Sequence, residues 1–296
     1  THPATIERVV GQLELGTTLF IVASKSGGTT ETLSHLAFFW DKVPNGTQFT
    51  AITDPGTSLE TQARERGFRA VFVNPEDIGG RYSALSYFGL VPAALIGAPL
   101  HEVLDRAEEM QTASERTIPA AQSPGATLGA MMGESAKAGR DKLTISLAEE
   151  IASFGSWVEQ LIAESTGKEG VGIVPVIGEP LGTPDVYGQD RVFVAIGEHG
   201  GLDDLENVGH PVVRLPYDGR EQIGGEFFRW EMATAIAGYV LGINPFDQPN
   251  VQEAKDATKA ILASGSIEDP GFDDLGVLLK QVGEGDYVAI LAYLDR

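Results

Sequence analysis

The sequence predicts an α/β protein built from two αβα sandwich domains with mainly parallel sheets. Short apolar runs rich in β-branched residues alternate with longer stretches of helical periodicity, which is typical of parallel strands covered by helices on both faces. The same alternation recurs in the second half of the chain. The chain has 296 residues, which is too long for one ordinary core and enough for two domains.

The first domain, predicted over residues 1–112, contains three strand-like runs. They read "TTLFIVAS", "TQFTAITD" and "RAVFVN". The segments between them, "TETLSHLAFFWDKV" and "TSLETQARERG", have helical periodicity. Strand–helix–strand connections of this length predict right-handed crossovers and parallel pairing.

The second domain, predicted over residues 113–296, follows a stretch that is poor in large apolar residues and contains two prolines. Its predicted strands are "DKLTISL", "GIVPVIG", "RVFVAIG" and "PVVRLPY". Its predicted helices are "EEIASFGSWVEQLIAES", the strongly apolar "GEFFRWEMATAIAGYVLG" and further helices toward the C-terminus. The acidic segment "GEHGGLDDLENVG" is predicted to be an exposed loop.

The composition of the chain argues against several classes of function. The formal net charge of −21 argues against a nucleic-acid partner, which would require a basic surface. The absence of cysteine excludes disulfides and thiolate metal sites and fits a cytoplasmic location. No apolar run is long enough for a bilayer, no signal-peptide pattern is present, and no ligand spacing indicates a metal. We therefore expect no membrane partner, no metal and no cofactor.

The segment "SKSGGTTET" at residues 24–32 lies where the first strand is predicted to end and a helix to begin. Ligands bind at this edge of open α/β sheets, and a helix N-terminus offers free N–H groups and a partial positive charge. Two glycines let the backbone approach closely, and several hydroxyls add donors. The pattern favours phosphate binding, although a helix cap followed by a flexible turn would use the same residue types.

Four segments, in this order along the chain, resemble the sugar isomerase domain family, specifically its phosphoglucose isomerases. They are "SKSGGTTET", "IGGRYSALSYFGLVPAALIG", "WVEQLIAESTGKEG" and "INPFDQPNVQEAK". The sequence of the last segment is most similar to that of the isomerase part of bacterial transaldolase/phosphoglucose isomerase fusions. The resemblance covers most of the chain and implies interconversion of glucose 6-phosphate and fructose 6-phosphate through a cis-enediol intermediate, without a cofactor, in a homodimer.

The resemblance also assigns residues to the chemistry. Isomerisation needs a carboxylate base, a cationic group for the enediolate oxygens and an acid–base pair for ring opening. The resemblance implies that Glu164 is the base, that Arg81 stabilises the intermediate and that Lys255 lies near the ring oxygen. Gly80 is implied in substrate binding. The corresponding phosphate-binding residues are Ser24, Lys25, Ser26, Thr29 and Thr30. Without the resemblance, Glu164, Arg81 and Lys255 would be read as ordinary helix-end or surface residues.

The family's ring-opening histidine has no counterpart in the matching segment "GEPLGTPDVYGQDRVF". His199, at a predicted strand end, is the best internal candidate, whereas His35, His101 and His210 fall in patterns that suggest structural roles. The family's first strand is missing upstream, and "GEGDYVAILAYLDR" stops within an apolar pattern. We therefore expect a chain truncated at both ends, with the histidine beyond Arg296.

Two alternatives to this isomerase stay open at the level of sequence. One is a sugar-phosphate sensor, which would need the hydroxyl-rich loop but not Glu164, Arg81 and Lys255 together. The other is an isomerase that also accepts mannose 6-phosphate, since no residue pattern reports stereochemistry at C2. The joint presence of the three charged residues favours an enzyme.

Overall fold

The structure, a computed structural model, describes residues 2–247, 249–265, 275–283, 286 and 288, without the side chains of 249–255. The chain divides into two compact units. The larger is Leu19–Asp247, and the smaller combines the described residues of the N-terminal segment up to Thr18 with those after Gln248. The larger unit contains both sheets.

All seven strands that the sequence predicts are present in the larger unit, and α-helices separate consecutive strands everywhere except between β5 and β6. The strands are β1 Phe20–Ala23, β2 Phe49–Thr53, β3 Ala70–Val73, β4 Lys142–Leu147, β5 Val174–Ile177, β6 Arg191–Ile196 and β7 Val212–Leu215. The helices of the described residues are α1 Pro3–Gln12, α2 Thr30–Lys42, α3 Ser58–Glu65, α4 Tyr87–Leu95, α5 Leu100–Ala113, α6 Pro124–Lys137, α7 Phe154–Thr166, α8 Leu202–Asn207, α9 Ile223–Leu241, α10 Pro249–Ser264 and α11 Leu275–Leu279.

Both sheets are parallel throughout, which confirms the predicted fold class. The first has the order β1-β2-β3, and the second has the order β5-β4-β6-β7. Central strands carry the most buried residues: every residue of β2 is buried, as are five of the six in β6. The predicted domain boundary, between residues 112 and 113, falls in the last turn of α5 and stays a prediction, because both sheets belong to one compact unit.

A stripe of small residues lets α6 pack closely against α9. A Cβ added at Gly125, Gly129 or Gly133 would lie within 3.0 Å of side-chain or backbone atoms of α9. The three glycines are four positions apart and share one face of the helix. The sequence did not predict α6, because this face is buried by close approach and not by large apolar side chains.

The acidic segment at residues 197–209 differs from the predicted exposed loop. It contains the short helix α8, in which Leu202 and Leu205 are buried beside Phe193 and Tyr187. The two leucines lie three positions apart and therefore face the same side of the helix. Its acidic residues mask this short apolar pattern in the sequence.

Candidate active site

The hydroxyl-rich loop follows β1 at the carboxyl edge of the first sheet. The N–H of Ser24 donates to the carbonyl of Ile52 at 3.0 Å and so extends the pairing between β1 and β2. Gly27 has a φ of +64°, and a Cβ there would lie 2.5 Å from the Cβ of Thr57. Only glycine fits this close approach to the start of α3, so this position has a structural reason for its glycine.

The hydroxyls of the loop differ in their exposure. The side chain of Ser24 is buried and its Oγ lies 2.9 Å from Thr29 Oγ1, while Ser26 Oγ accepts from the N–H of Gly28 at 3.3 Å. Thr29 precedes the first residue of α2, Thr30, but its side chain does not cap the helix. Ser26, Thr29 and Thr30 are exposed. The helix N-terminus and these hydroxyls therefore face solvent together.

Lys25 joins the ends of all three strands of the first sheet. Its Nζ forms an ion pair with Asp54, which follows β2, and donates to the carbonyl of Glu76 at 2.8 Å, which lies beyond β3. The N–H of Asp54 in turn donates to the carbonyl of Lys25 at 3.2 Å. The side chain thus fixes the shape of the loop, and its predicted contact with phosphate stays a prediction.

Arg81 lies in the turn Gly80–Tyr82 beyond β3, and its side chain is only 1% exposed. Its Nε donates to Ser165 Oγ at 2.7 Å, and its Nη2 donates to the carbonyls of Pro245 and Asp247 at 2.6 and 3.1 Å. Its own carbonyl accepts from Trp157 Nε1 at 3.2 Å. The residue is therefore held by α7 and by the segment that follows α9.

Glu164 lies in the last turn of α7, and the structure places it beside Arg81. Glu164 Oε1 is 3.4 Å from Arg81 Nη1, and Gln160 Nε2 donates to Glu164 Oε2 at 3.3 Å. The carboxylate is 26% exposed, so it can reach a bound molecule while a buried cation faces it. Two predicted residues, far apart in the sequence, thus form one site.

Two further residues complete this cluster, and neither had a role predicted from the sequence. Tyr82 Oη lies 3.0 Å from Ser165 Oγ and donates to the carbonyl of Pro245 at 3.3 Å. Lys168 is buried, and its Nζ contacts three oxygens of residues 244–247. Both lie inside segments that the resemblance had marked, but their partners are brought together only by the fold.

Two predicted residues remain, Gly80 and Lys255. Gly80 is exposed, and a Cβ there would meet no atom within 4 Å, which leaves room beside Arg81. Lys255 is a residue of α10, but its side chain lies outside the described part of the structure. Within the described residues, no group of three or more His, Asp or Glu residues is suited to a metal ion, and no helix is long and apolar enough to cross a membrane.

His199 and His210 lie in different surroundings. His199 Nε2 lies 3.2 Å from the carbonyl of Ile196, at the carboxyl edge of the second sheet, whereas Glu164 is at the far end of the helix that follows β4. His210 is buried with its ring edge-on to Phe193 and Tyr187, which indicates a structural residue. The assignment of the ring-opening histidine stays a prediction.

A second carboxyl group lies near the cluster. Glu231 on α9 has a buried Oε1 without a hydrogen-bond partner in the described part of the chain, and burial raises its pKa to about 8. Burial raises the pKa of Tyr82, and the charge of Glu231 acts in the same direction. The pKa of Glu226, which lies earlier on the same helix, is also raised by burial, although Arg229 and Trp230 oppose the shift.

Replacing Glu231 with Gln should flatten the pH dependence of stability. Between its ordinary pKa of 4.5 and about 8, the carboxyl is protonated in the folded chain and ionised in the unfolded chain. Unfolding then releases a proton, so the free energy of unfolding falls as pH rises, by up to about 1.4 kcal/mol per pH unit. In urea denaturation from pH 5 to 8, the free energy of unfolding of the Glu231→Gln variant should rise relative to that of the unmodified protein as the pH approaches 8. The exposed Glu159→Gln on α7 is the control and should keep the original slope.

Comparison with known proteins identifies similar chains. The family described as "Phosphoglucose isomerase" matches residues 1–175. A glucose-6-phosphate isomerase of Synechococcus sp. (strain JA-3-3Ab) is 28% identical over 88% of this chain and 59% of its own. This chain therefore spans less than two thirds of that relative.

Two solved structures share the fold. The hypothetical protein TT0462 of Thermus thermophilus has a TM-score of 0.78 at 24% identity, over 89% of this chain and 76% of its own. A glucose-6-phosphate isomerase of Chlamydia trachomatis has a TM-score of 0.73 at 21% identity, over 94% of this chain and 65% of its own. At these identities the likeness establishes the fold.

Proposed function

The chain belongs to the phosphoglucose isomerase family, and from this premise we propose that it interconverts glucose 6-phosphate and fructose 6-phosphate. The observation that carries the proposal is the pairing of a partly exposed carboxylate, Glu164, with a buried guanidinium, Arg81, at 3.4 Å. An aldose–ketose isomerase needs these two groups in one place, since the first moves a proton and the second balances the charge that develops.

In the proposed reaction, Glu164 takes the proton from C2 of the open-chain aldose and returns it to C1. Loss of the C2 proton leaves a cis-enediolate with its negative charge on the C1 oxygen. The C2 hydroxyl proton then passes to that oxygen, and protonation of C1 gives the ketose. The Nε and Nη2 of Arg81 are engaged by Ser165, Pro245 and Asp247, so its Nη1 is the nitrogen directed toward Glu164 and the reacting atoms. A guanidinium keeps its charge at every relevant pH and can hold these oxygens throughout the transfer.

The phosphate of the substrate is proposed to bind at the loop after β1. Free N–H groups at the start of α2 and the exposed hydroxyls of Ser26, Thr29 and Thr30 form donors of the kind that phosphate requires. The protein carries a net charge of −21, so such a local site must work against the overall field. This arrangement supports a phosphorylated sugar over a free one.

The double replacement Ser26→Ala and Thr30→Ala should weaken fructose 6-phosphate binding. Each hydroxyl hydrogen bond to a charged group is worth about 1.5–3 kcal/mol, so the loss of two should raise Kd by at least about 100-fold. Isothermal titration calorimetry measures the change directly. Both residues are exposed, and the fold should be unaffected.

The matched control is Ser58→Ala, which removes a nearby hydroxyl. Its Oγ already donates a hydrogen bond to the carbonyl of Gly27 at 3.0 Å. It should change Kd less than the double variant does. Equal affinity of the double variant and the unmodified protein would remove the loop from the phosphate site. Turnover of glucose 6-phosphate by the unmodified protein tests the function itself.

The remaining assignments are proposals that rest on the resemblance. We propose a cytoplasmic homodimer, with a transaldolase domain in the same polypeptide as a further hypothesis. A protein that binds sugar phosphate without turnover would indicate a sensor, and turnover of mannose 6-phosphate would indicate the broader isomerase. The joint presence of Arg81 and Glu164 in one cluster favours the enzyme.

A further inference from the structure

Lys168 is a buried lysine whose ammonium group is fully surrounded by oxygen atoms of one short segment. Its side chain is 3% exposed. Its Nζ donates to the carbonyls of Asn244 and Asp247, both at 2.8 Å, and to Asp247 Oδ1 at 2.6 Å. An ammonium has three N–H donors, and each has an acceptor here. Burying a lysine is costly unless its charge is paired and hydrogen-bonded, as it is in this site.

The same segment is also held by Arg81. The carbonyl of Asp247 accepts from both Lys168 Nζ and Arg81 Nη2, at 2.8 and 3.1 Å. Arg81 Nη2 also donates to the carbonyl of Pro245. Two cations, Arg81 and Lys168, thus share one acceptor, and two carboxylates, Glu164 and Asp247, balance their charges.

We propose that Lys168 is a positioning residue for the isomerase reaction, because it fixes the carbonyls of residues 244–247 to which Arg81 is bound and so sets the direction of Arg81 Nη1 toward Glu164. The proposal rests on the proposed function. Lys168 acts through Asp247 and Arg81, and it does not itself contact the substrate.

A guanidinium keeps one orientation only while its acceptors stay in place. Arg81 has a fixed planar fork, so the acceptors of its Nε and Nη2 determine where its Nη1 points. Ser165, the acceptor for Nε, belongs to helix α7, whereas the acceptors for Nη2 belong to an irregular segment after α9. Lys168 ties this segment to the end of α7. Without the hydrogen bonds of Lys168, the acceptors of Nη2 are no longer held in place, whereas the phosphate loop of the first sheet is unchanged.

The test is the replacement Lys168→Met, which keeps an unbranched side chain and removes the ammonium. We expect kcat for glucose 6-phosphate to fall by about 10- to 100-fold, because a small misplacement of a catalytic group costs up to about this factor. KM should change less than about threefold. A merely structural role would lower the folded fraction and the thermal midpoint, but not kcat per folded molecule. The control Lys142→Met removes an ammonium paired with Asp141 and Asp190, and should keep kcat.

A second variant avoids the risk that Lys168→Met fails to fold. Asp247→Asn removes the carboxylate, whose side chain is 47% exposed, but retains the carbonyl that Arg81 and Lys168 share. It should lower kcat by less than Lys168→Met does. The double variant should be no slower than Lys168→Met alone, because both changes act on the same tie. Multiplicative losses in the double variant would overturn the proposal.

A measurement without turnover separates this proposal from the proposed function. The Nε–H resonance of Arg81 in ¹⁵N spectra, assigned by its loss in Arg81→Lys, reports the bond to Ser165. It should shift or broaden in Lys168→Met and stay in place in Lys142→Met. An unchanged resonance together with an unchanged kcat would overturn the positioning role. A shifted resonance in a protein that does not turn over glucose 6-phosphate would support the positioning of Arg81 by Lys168 but contradict the proposed isomerase function.

Discussion

The replacement Glu164→Gln is expected to lower kcat for glucose 6-phosphate isomerisation by about 10²–10⁴-fold, which is the typical contribution of a positioned general base. Glutamine preserves the size of the side chain and can still accept hydrogen bonds, but it cannot take a proton from C2. Binding of fructose 6-phosphate should remain near normal because the phosphate loop is untouched. The direct assay follows solvent deuterium entering C2 of glucose 6-phosphate.

The control for this prediction is Glu159→Gln, one of the exposed positions on the same helix. Deuterium exchange should continue at the original rate in the control and fall by about 10²–10⁴-fold in Glu164→Gln. Exchange at equal rates in both variants would remove Glu164 from the mechanism. If the unmodified protein shows no exchange but binds the sugar phosphate tightly, a sensor becomes the better explanation.

The replacement Arg81→Met should have the largest combined effect on activity and stability. The buried guanidinium donates to Ser165, Pro245 and Asp247, and its loss leaves these acceptors without that donor. Removing one member of a buried charged network typically costs about 3–5 kcal/mol. We expect a decrease of this size in the free energy of unfolding, measured by urea denaturation, together with loss of isomerase activity.

Arg81→Lys separates the two effects. It keeps the charge but loses the fork that binds several acceptors at once, so it should recover part of the stability without recovering kcat. The surface variant Arg64→Met, which removes a helix ion pair with Glu60, should change neither property appreciably. Full activity of Arg81→Lys would show that only the charge matters and would contradict the geometric role.

Most of the fold was predictable because its signals are local. Each buried strand is a short apolar run, and each of α2, α3, α7 and α9 shows helical periodicity next to it. Two helices that the sequence did not predict, α6 and α8, share one physical origin. The stripe of glycines on α6 and the two leucines of α8 are buried by their partners in the fold, not by a long apolar pattern of their own.

The sequence by itself determined the alternation of parallel strands and helices, and the position of the hydroxyl-rich loop between β1 and α2. It also marked Arg81 and Glu164, through local motifs. Only the tertiary structure decided that Arg81 donates to a carbonyl 164 positions away, and that Lys168 and Tyr82 share its acceptors. These partners are main-chain oxygens, which every residue type carries, so no pattern of side chains along the chain can report them.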